Sequence, residues 1–467
     1  MTNGESTETG SAGSSKIVPI RHPADGIVAR LSLIGNAERT LDLQYYLWDS
    51  DVVGYLLLSQ LLAAADRGVS VRLLVDDLKL RDRTKRIASL CLHPNLEIRL
   101  FNPFKKRSNA VTEGLEFVRR FAKLDQRMHN KLMVADDTRA IFGGRNVAAE
   151  HFGLHEAFNF IDFDVELTGP AVVDLSSVFE SYWVNPISVP GGNFDESVSE
   201  TDLASTRTFI ARQLGTRESM LTHVLDQEEE WPDRARSTTR SLRPESVTVA
   251  SDTPGISEGS RPAQVNEALH EVTDGAEHGI VVVTPFFDPG DIHIEWYREL
   301  VDRGVRIRIL TNSLASNPGT ISNSGLNKQR RSVVEAGVEL HELRTDAAIK
   351  PEWEIPPVTG GYLALHAKLY VIDRRKLFLG SINLDPRSRF INTEMGVLIE
   401  DTELAQDAAG AILPLLEPEN SWRVDVGPDG ELRWQDDTET LNRQPARSSV
   451  QRVADWILSR LPIGNYI

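Results

Sequence analysis

Two stretches of the chain repeat the same order of apolar and polar segments. Each begins with an apolar run that predicts a β-strand, at residues 40–48 and 279–287. An amphipathic run that predicts a helix follows at 53–66 and 292–302, and an Arg-Gly pair comes after each helix. Glycine is favoured there because it takes the left-handed conformation that ends many helices. A second apolar strand follows in both stretches, so the pattern predicts β-α-β units and a sheet with helices on its faces.

The two stretches also resemble each other residue by residue. Residues 66–74 resemble 302–310 at an offset of 236 residues, and residues 129–136 resemble 366–373 at an offset of 237. Two matches at nearly the same offset indicate an internal duplication. We therefore predict an α/β fold of two similar units, each a mixed sheet flanked by helices. Pseudo-two-fold symmetry is expected to relate the units around one shared active site.

The same pattern divides the chain into five segments. They are a disordered N-terminal tail at 1–20, a first unit at 21–186, a connector at 187–261, a second unit at 262–416 and a C-terminal extension at 417–467. The tail and the connector are rich in small and polar residues, which disfavours a packed core. The connector is predicted to contain two helices and no catalytic groups.

A short helix is predicted near the end of the extension, at 449–460. It carries an apolar stripe of Val453, Trp456, Ile457 and Leu461. At helical spacing these side chains share one face, so the stripe either docks on the core or contacts lipid.

The residues with catalytic chemistry belong to a motif that occurs once in each unit. It reads His-x-Lys-x4-Asp-x6-Gly-[Gly/Ser]-x-Asn. Its two copies contain His129, Lys131, Asp136, Gly144 and Asn146 in the first unit, and His366, Lys368, Asp373, Ser381 and Asn383 in the second. Because alternate residues of a strand share a face, each unit offers an imidazole and an ammonium group to the same space. The residues at the end of each copy are predicted to bind a phosphate.

Two such units facing each other would surround a phosphodiester with paired histidines, lysines and asparagines. The cations and amide donors suit the charge of a phosphoryl-transfer transition state. The histidines supply a nucleophile and a general acid–base, which predicts two-step transfer through a phosphohistidine. The remote ring nitrogen of each histidine needs an acceptor. The candidates are Glu394 in the second unit and Asp162 or Asp164 in the first.

Other candidate ligands carry less weight. His151 and His155 have the i, i+4 spacing of a metal site, but no further ligand accompanies them, which favours an exposed helix surface. Cys91 is the single cysteine, so an intrachain disulfide framework and a multi-cysteine zinc site are excluded. We expect Cys91 to be a small buried hydrophobe, and we predict no metal.

The charge of the chain bears on its partners. It carries 51 basic and 68 acidic residues, a net charge of −17, whereas nucleic-acid binding normally needs a basic surface. Residues 99–131 are locally basic and contain interleaved phenylalanines. This stretch suits an anionic membrane surface, single-stranded nucleic acid or a solvated helix with core-facing aromatics. We expect a membrane surface rather than nucleic acid. The chain lacks a secretory signal pattern and an apolar run of about 18 residues, so a cytoplasmic location is expected.

The duplicated motif resembles the signature of the phospholipase D superfamily, and within it the chain is most similar to bacterial cardiolipin synthases. Further similar stretches lie at 41–48, 99–104, 143–146, 310–316 and 461–463. The resemblance implies a phosphohistidine intermediate and neither a metal nor another cofactor. It implies that His129 is the nucleophile and His366 the acid–base, while Glu394 matches the downstream acid of the family. Asp136 and Asp373 complete the motif as catalytic or structural residues.

The resulting hypothesis is a peripheral phosphatidyltransferase on the inner face of the cell membrane. It would make cardiolipin from phosphatidylglycerol and a second phospholipid, so phospholipids and an anionic membrane surface are the expected partners. The motif does not distinguish water from an alcohol as the acceptor, so a phospholipase D-type hydrolase is an alternative. A phosphodiesterase or nuclease acting on nucleic acid and a non-catalytic lipid-binding module are further alternatives.

Overall fold

Twenty β-strands form the framework of the computed structural model, which describes residues 15–80, 83–104, 126–225, 244–255 and 264–460. In chain order they are β1 (Lys16–Ile20), β2 (Thr40–Tyr45), β3 (Ser70–Asp76), β4 (Leu96–Phe101), β5 (Lys131–Ala135), β6 (Arg139–Gly143), β7 (Phe158–Ile161), β8 (Asp164–Thr168), β9 (Ser188–Pro190), β10 (Ser246–Ser251), β11 (Gly279–Val283), β12 (Arg306–Asn312), β13 (Glu339–Leu343), β14 (Tyr362–Leu365), β15 (Leu369–Ile372), β16 (Lys376–Gly380), β17 (Met395–Glu400), β18 (Ser421–Val426), β19 (Leu432–Gln435) and β20 (Thr440–Leu441).

Twelve α-helices lie in the same described ranges. They are α1 (Pro23–Gly35), α2 (Val52–Asp66), α3 (Thr84–Leu90), α4 (Ala171–Trp183), α5 (Glu200–Gly215), α6 (Glu218–Leu225), α7 (Gln264–Asp274), α8 (Gly290–Asp302), α9 (Ser324–Glu335), α10 (Pro386–Phe390), α11 (Thr402–Ile412) and α12 (Ser449–Leu458). The predicted helices at 53–66 and 292–302 correspond to α2 and α8. Gly68 and Gly304, the glycines of the two Arg-Gly pairs, follow these helices with φ values of 98° and 92°. This is the left-handed conformation expected there.

The two large sheets repeat one topology. The first has the order β1-β8-β6-β5-β2-β3-β4-β9, and the second has the order β10-β17-β16-β15-β11-β12-β13-β18-β19-β20. In both, three parallel strands (β2-β3-β4 and β11-β12-β13) continue into antiparallel neighbours. The first eight positions of the second sheet therefore match the first sheet in order and direction. This confirms the prediction of two similar units, each with a mixed sheet.

The apolar interior has three parts, because each sheet buries both of its faces. One part lies mainly in the first unit and also includes connector residues and Ile355 and Val358 of the second unit, and another part lies mainly in the second unit. The middle part contains side chains of both sheets together with α4 and α11. Along β5, Met133 belongs to the first part, whereas Leu132 and Val134 belong to the middle one. This alternation follows the two-residue period of a strand and places the motif strands back to back.

Two short parallel pairings join the units directly. The strand β7 of the first unit pairs with β14 of the second, and an isolated bridge joins Met128 to Thr393. Each pairing ends beside a motif histidine. The backbone N–H of His129 donates to the Thr393 carbonyl at 2.9 Å, and that of His366 donates to the Ile161 carbonyl at 2.8 Å. The pairings thus position each histidine next to the other unit.

Three strands lie in segments that composition assigned to a tail or a connector. The prediction of a disordered tail at 1–20 is wrong for β1, whose Ile17 and Ile20 are buried and which pairs with β8. Within 187–261, β9 pairs with β4 and β10 pairs with β17. Sheet pairing outweighs composition there. Residues 1–14, 226–243 and 256–263 lie outside the described residues, and the unit boundaries stay predictions.

The two aspartates of the motif tie the end of one strand to the start of another. The Asp136 carboxylate accepts hydrogen bonds at 2.7–2.9 Å from three consecutive backbone N–H groups, those of Glu38, Arg39 and Thr40. Asp373 does the same at 2.8–2.9 Å with Glu277, His278 and Gly279. Five residues of extended chain put each aspartate about 16 Å from its lysine. Grouping Asp136 and Asp373 with the catalytic residues is therefore wrong, because they act in the turns.

No helix within the described ranges is long and apolar enough to cross a membrane. Most of the basic stretch at 99–131, namely residues 105–125, lies outside the described residues. The same holds for Leu461 of the C-terminal stripe and for the stretch 461–463.

We expect Asp136→Ala to destabilise the fold without altering the chemistry of the site. The change removes a charged acceptor from three backbone donors, but solvent can reach those donors, so the loss should be about 1 kcal/mol in the free energy of unfolding. Urea denaturation followed by circular dichroism measures it. Asp136→Asn keeps one carbonyl acceptor and should lie between the variant and the wild type. A catalytic role for Asp136 would instead show as lost turnover in a stably folded protein.

Candidate active site

The two motif histidines lie at the same edge of the paired sheets. Lys131 begins β5 opposite Tyr45, the last residue of β2, so His129 lies beyond the carboxyl end of that parallel strand. His366 has the equivalent place beyond β11, whose last residue lies opposite Leu369. The carboxyl ends of parallel strands are the usual position of active sites in α/β folds. The structure thus brings both copies of the motif to one place.

His129 is held by groups of the second unit. Its Nδ1 lies 2.9 Å from Glu394 Oε2 and 2.9 Å from the Ser381 carbonyl oxygen. Both are acceptors, so Nδ1 carries the proton and Nε2 keeps its lone pair. The ring of Tyr46 packs edge-on against the imidazole at 4.9 Å between centroids. His129 is therefore fixed in the tautomer that a nucleophile needs.

His366 is held by a carboxylate of the first unit. Its Nδ1 lies 2.8 Å from Asp162 Oδ2, and His151 Nδ1 lies 3.0 Å from the same oxygen. The Asp162 side chain is fully buried, and its Oδ2 lies between two imidazole N–H donors. With Nδ1 donating to Asp162, Nε2 keeps its lone pair, and the Lys368 ammonium lies 3.3 Å from it.

The predicted pairing of acids and histidines within each unit is wrong. Glu394 was expected to serve His366, and Asp162 or Asp164 was expected to serve His129. In the structure the partners are exchanged, since each carboxylate reaches across the pseudo-two-fold relation to the histidine of the other unit. The cause is the pairing of backbones between units, which places Thr393 beside His129 and Ile161 beside His366.

Asp164 is not a partner of either histidine. It lies 2.9 Å from Arg30 Nη2 and 3.2 Å from Arg145 Nη1, and both arginines are buried. The Asp164 carboxylate is therefore occupied by the two guanidinium groups. Of the two acids left open for the first unit, the structure selects Asp162.

The ionisation of the site favours neutral imidazoles. Burial lowers the pKa of both His129 and His366 well below the usual histidine value, and Lys131 and Lys368 lower that of His129 further. Burial raises the pKa of Glu394 to about 7. Burial acts the same way on Asp162, but His366 and His151 outweigh it and hold its pKa well below the usual range. The two histidines thus have carboxylate partners of unequal basicity.

The lysines supply positive charge in the same buried space. Burial lowers the pKa of Lys368 to about 8, although Asp162 and Glu394 act in the opposite direction. Burial and the Lys368 charge lower the pKa of Lys131 well below its usual value. Each ammonium also donates to the carbonyl of the histidine two residues before it. A bound anion would relieve the repulsion between the two cations, so the site is suited to a phosphate.

The end of each motif copy contacts the acids that hold the histidines. A Cβ on Gly144 would come within 2.0 Å of Asp162 Oδ1, so glycine makes room for that carboxylate. The Ser381 hydroxyl donates to Glu394, and the Ser381 backbone carbonyl accepts from Nδ1 of His129. Gly144 and Ser381 thus contact the groups that hold the histidines, and their approach to a phosphate stays a prediction.

The two asparagines lie beside these groups. Asn146 accepts from the Leu47 N–H at 3.2 Å, and its amide nitrogen lies 3.5 Å from His151 Nε2. Asn383 is buried at the equivalent position in the second copy. Both remain candidates for phosphate binding.

His151 is the residue that sequence reasoning placed wrongly. It is buried rather than on a helix surface, and its ring meets that of His366 edge-on at 4.5 Å. It joins Asn146 to Asp162, since Nε2 accepts from the first and Nδ1 donates to the second. Its ligand atom lies within 4.8 Å of those of Asp162 and His366, a grouping able to hold a metal. Since both Nδ1 atoms already donate to Asp162, we interpret the group as a hydrogen-bonded cluster. The only sequence signal was its position five residues after Asn146.

Comparison with known proteins agrees with this geometry. Residues 31–183 and 269–412 match the family described as cardiolipin synthase, PLD-like domain. The chain is 33% identical to cardiolipin synthase C of Escherichia coli, over 97% of this chain and 96% of that protein. It is 26% identical to cardiolipin synthase B of the same organism, over 80% of this chain and 73% of that protein.

The fold has a counterpart among solved structures. A phosphatidylserine synthase from Haemophilus influenzae superposes with a TM-score of 0.62 and covers 97% of this chain and 95% of that one. At 14% identity this likeness concerns the fold alone.

We expect the exchange of partners to be visible by nuclear magnetic resonance of the 11 histidines labelled with ¹⁵N. Glu394→Gln should shift the Nδ1 resonance of His129, because it weakens the acceptor of that proton, and should leave His366 largely unchanged. Asp162→Asn should shift His366 and His151 instead. If Glu394→Gln shifted the resonance of His366 and left that of His129 unchanged, the result would support pairing of each acid with the histidine of its own unit.

The lysines predict an alkaline limit to activity. Since the pKa of Lys368 is about 8, its ammonium is charged below that pH and loses its charge as the pH rises through it. The value of kcat/KM on a soluble short-chain phosphatidylglycerol, which reports the free enzyme, should therefore fall above about pH 8. Lys368→Arg keeps the charge and should move this limb to higher pH. A profile that is flat to pH 10 would contradict the assignment.

Proposed function

The chain belongs to the cardiolipin synthase family with a phospholipase D-like domain, and from this premise we propose that it makes cardiolipin by phosphatidyl transfer. In the proposed reaction a phosphatidyl group passes from one phospholipid to a histidine and then to a hydroxyl of phosphatidylglycerol. The cross-unit cluster of two neutral imidazoles and two buried lysines is the observation that carries the proposal. Its groups supply a nucleophile, an acid–base and two cations, as phosphodiester chemistry requires.

We assign the nucleophile to His129. Its Nδ1–H rests on Glu394, whose pKa of about 7 makes it the more basic of the two carboxylates. A more basic acceptor pulls more strongly on the Nδ1 proton and so enriches Nε2 in electron density. In the first step Nε2 forms a bond to phosphorus while the bond from phosphorus to the headgroup oxygen of the donor breaks.

We assign the acid–base to His366. It lies beside Asp162, a carboxylate that stays ionised and so stabilises an imidazolium. A bound phosphodiester adds negative charge beside His366 and so favours its imidazolium, which carries a proton on each ring nitrogen. In the first step His366 gives the Nε2 proton to the departing oxygen. In the second step it takes the proton of the acceptor hydroxyl as that oxygen binds phosphorus and the P–N bond breaks. Proton and phosphatidyl group are then both accounted for.

The lysines and asparagines would bind the phosphate. Lys131 and Lys368 bring the positive charge, and Asn146 and Asn383 bring neutral donors from equivalent places in the two copies. Preorganised cations in a buried site stabilise a developing negative charge without having to reorient. No step of this scheme requires a metal.

We propose that the enzyme acts at an anionic membrane surface, namely the inner face of the cell membrane. Both the donor and the acceptor are phospholipids, so the enzyme must reach a bilayer. The overall charge of −17 does not favour nucleic acid as a substrate.

The deciding experiment is mass spectrometry of lipids after incubation with phosphatidylglycerol vesicles, with and without phosphatidylethanolamine. We expect cardiolipin from the wild type and a drop of about a thousandfold or more for His129→Ala and for His366→Ala. His278→Ala, at an exposed histidine, is the matched control. Phosphatidic acid as the sole product would indicate hydrolysis, and lipid turnover by neither route would overturn the proposal.

Trapping the intermediate separates the roles of the two histidines. A phosphodiester with a p-nitrophenol leaving group needs no acid, so His366→Ala should still form an adduct on His129. His129→Ala should form none. Peptide mass spectrometry at alkaline pH, where the P–N bond survives, detects the adduct. An adduct on His366 in the His129→Ala variant would exchange the two assignments.

A further inference from the structure

The helix α12 turns its apolar side to solvent and its polar side to the protein. Val450, Val453, Trp456 and Ile457 are 77%, 57%, 56% and 48% exposed. Their spacing of three and four residues puts them on one side of the helix. Gln451 and Asp455, on the other side, are buried. A helix that packed by the hydrophobic effect alone would have the reverse orientation.

Buried hydrogen bonds hold the helix in this orientation. The Asp455 carboxylate accepts from three side-chain amides, those of Asn323 at 3.1 Å, Asn327 at 2.8 Å and Gln444 at 2.7 Å. The Gln451 amide donates to the Leu314 carbonyl at 2.6 Å. Rotating the helix to bury its apolar side would leave these polar groups without partners, which is costly. The exposed stripe is therefore a stable feature of the folded chain.

Basic residues surround the stripe. Residues 443–460 contain four arginines, Arg443, Arg447, Arg452 and Arg460, against the single acid Asp455. Asp455 is buried, so the surface of this segment is basic in a chain of net charge −17. The Arg460 guanidinium lies 3.8 Å from the centre of the Trp456 ring, an arrangement in which the cation stays at a polar surface while the aromatic ring enters an apolar one.

The helix adjoins the active-site edge of the second unit. Gln451 and Arg447 bind the carbonyls of Leu314 and Asn317, in the loop that follows β12. Within β12, Asn312 accepts from the backbone N–H of Leu365 at 2.8 Å, and Leu365 precedes His366. Three other exposed apolar side chains lie after strand ends at this edge, namely Leu78, Ile292 and Phe390.

We propose that α12 is an interfacial helix whose apolar stripe enters an anionic bilayer and holds the active-site edge against the lipid. The inference rests on the proposed function for the identity of the lipid. An apolar stripe with a tryptophan, flanked by arginines, is the composition that partitions into the boundary between headgroups and acyl chains. The basic flank favours an anionic bilayer over a second copy of this chain. In a symmetric dimer the copy would bring an equally basic segment to the contact.

Vesicle flotation tests the helix directly. We expect the full chain to bind vesicles of phosphatidylglycerol and phosphatidylethanolamine, and to bind phosphatidylcholine vesicles more weakly. The triple variant Val453→Ser, Trp456→Ser and Ile457→Ser should lower the partition coefficient by at least about tenfold, since each apolar side chain removed weakens transfer. The matched control is Val173→Ser with Val184→Ser, two equally exposed valines on and just after α4. An unchanged melting temperature shows that the variant is folded.

Turnover separates this inference from the proposed function. The ratio of vesicle to detergent-micelle turnover should fall by about tenfold in the triple variant, because micelles bring lipid to the site without a bilayer. If the wild type bound vesicles through the helix but converted no lipid in either form, the helix would be supported and the proposed function overturned. Unaltered vesicle binding by the triple variant would overturn the helix. So would a dimer in analytical ultracentrifugation that the triple variant abolishes, with no binding to vesicles.

Discussion

A carboxylate from one unit holds the imidazole of the other, and the organisation of the site depends on this exchange. Glu394 binds His129 and Asp162 binds His366, each through Nδ1. A buried imidazole N–H without an acceptor would be costly, and without a fixed tautomer neither ring would present Nε2. Neither unit is complete alone. The shared core and the parallel pairings between units are therefore as much part of the site as the motifs themselves.

The buried positive charges of the site favour the binding of an anion. Two lysines and two carboxylates are buried together, and burial lowers the pKa of Lys368 to about 8. Cations held close to each other in a medium of low dielectric constant repel, and a bound phosphodiester would relieve that repulsion. The glycine at Gly144 shows how tightly the supporting acids are packed, because any side chain there would displace Asp162. Close packing thus fixes the acid that orients His366.

The two copies of the motif give each histidine different neighbours. His366 shares Asp162 with His151, whereas His129 shares Glu394 with the Ser381 hydroxyl. Unequal basicity of the two acids follows from these different neighbours, since two imidazole donors stabilise an anion more than burial disfavours it. The duplicated fold thus provides symmetric positions, and side chains outside the motif differentiate them. The helix α12 contacts the loop that follows β12, next to the edge where both histidines lie, and its apolar stripe is exposed there.

Local pattern was enough to predict the strands and helices around the motifs, the duplication and the presence of both histidines and both lysines in one site. These features depend on the period of neighbouring residues, which the sequence displays directly. Local pattern failed for Asp136, which acts in a turn, for His151, which is buried, and for the partners of His129 and His366. Those outcomes depend on tertiary contacts. Asp136 binds backbone groups 96–98 positions away, His366 binds Asp162 at a separation of 204, and His129 binds Glu394 at a separation of 265. Only the packing of the folded chain decides them, because side-chain periodicity carries no information about which distant backbone lies alongside.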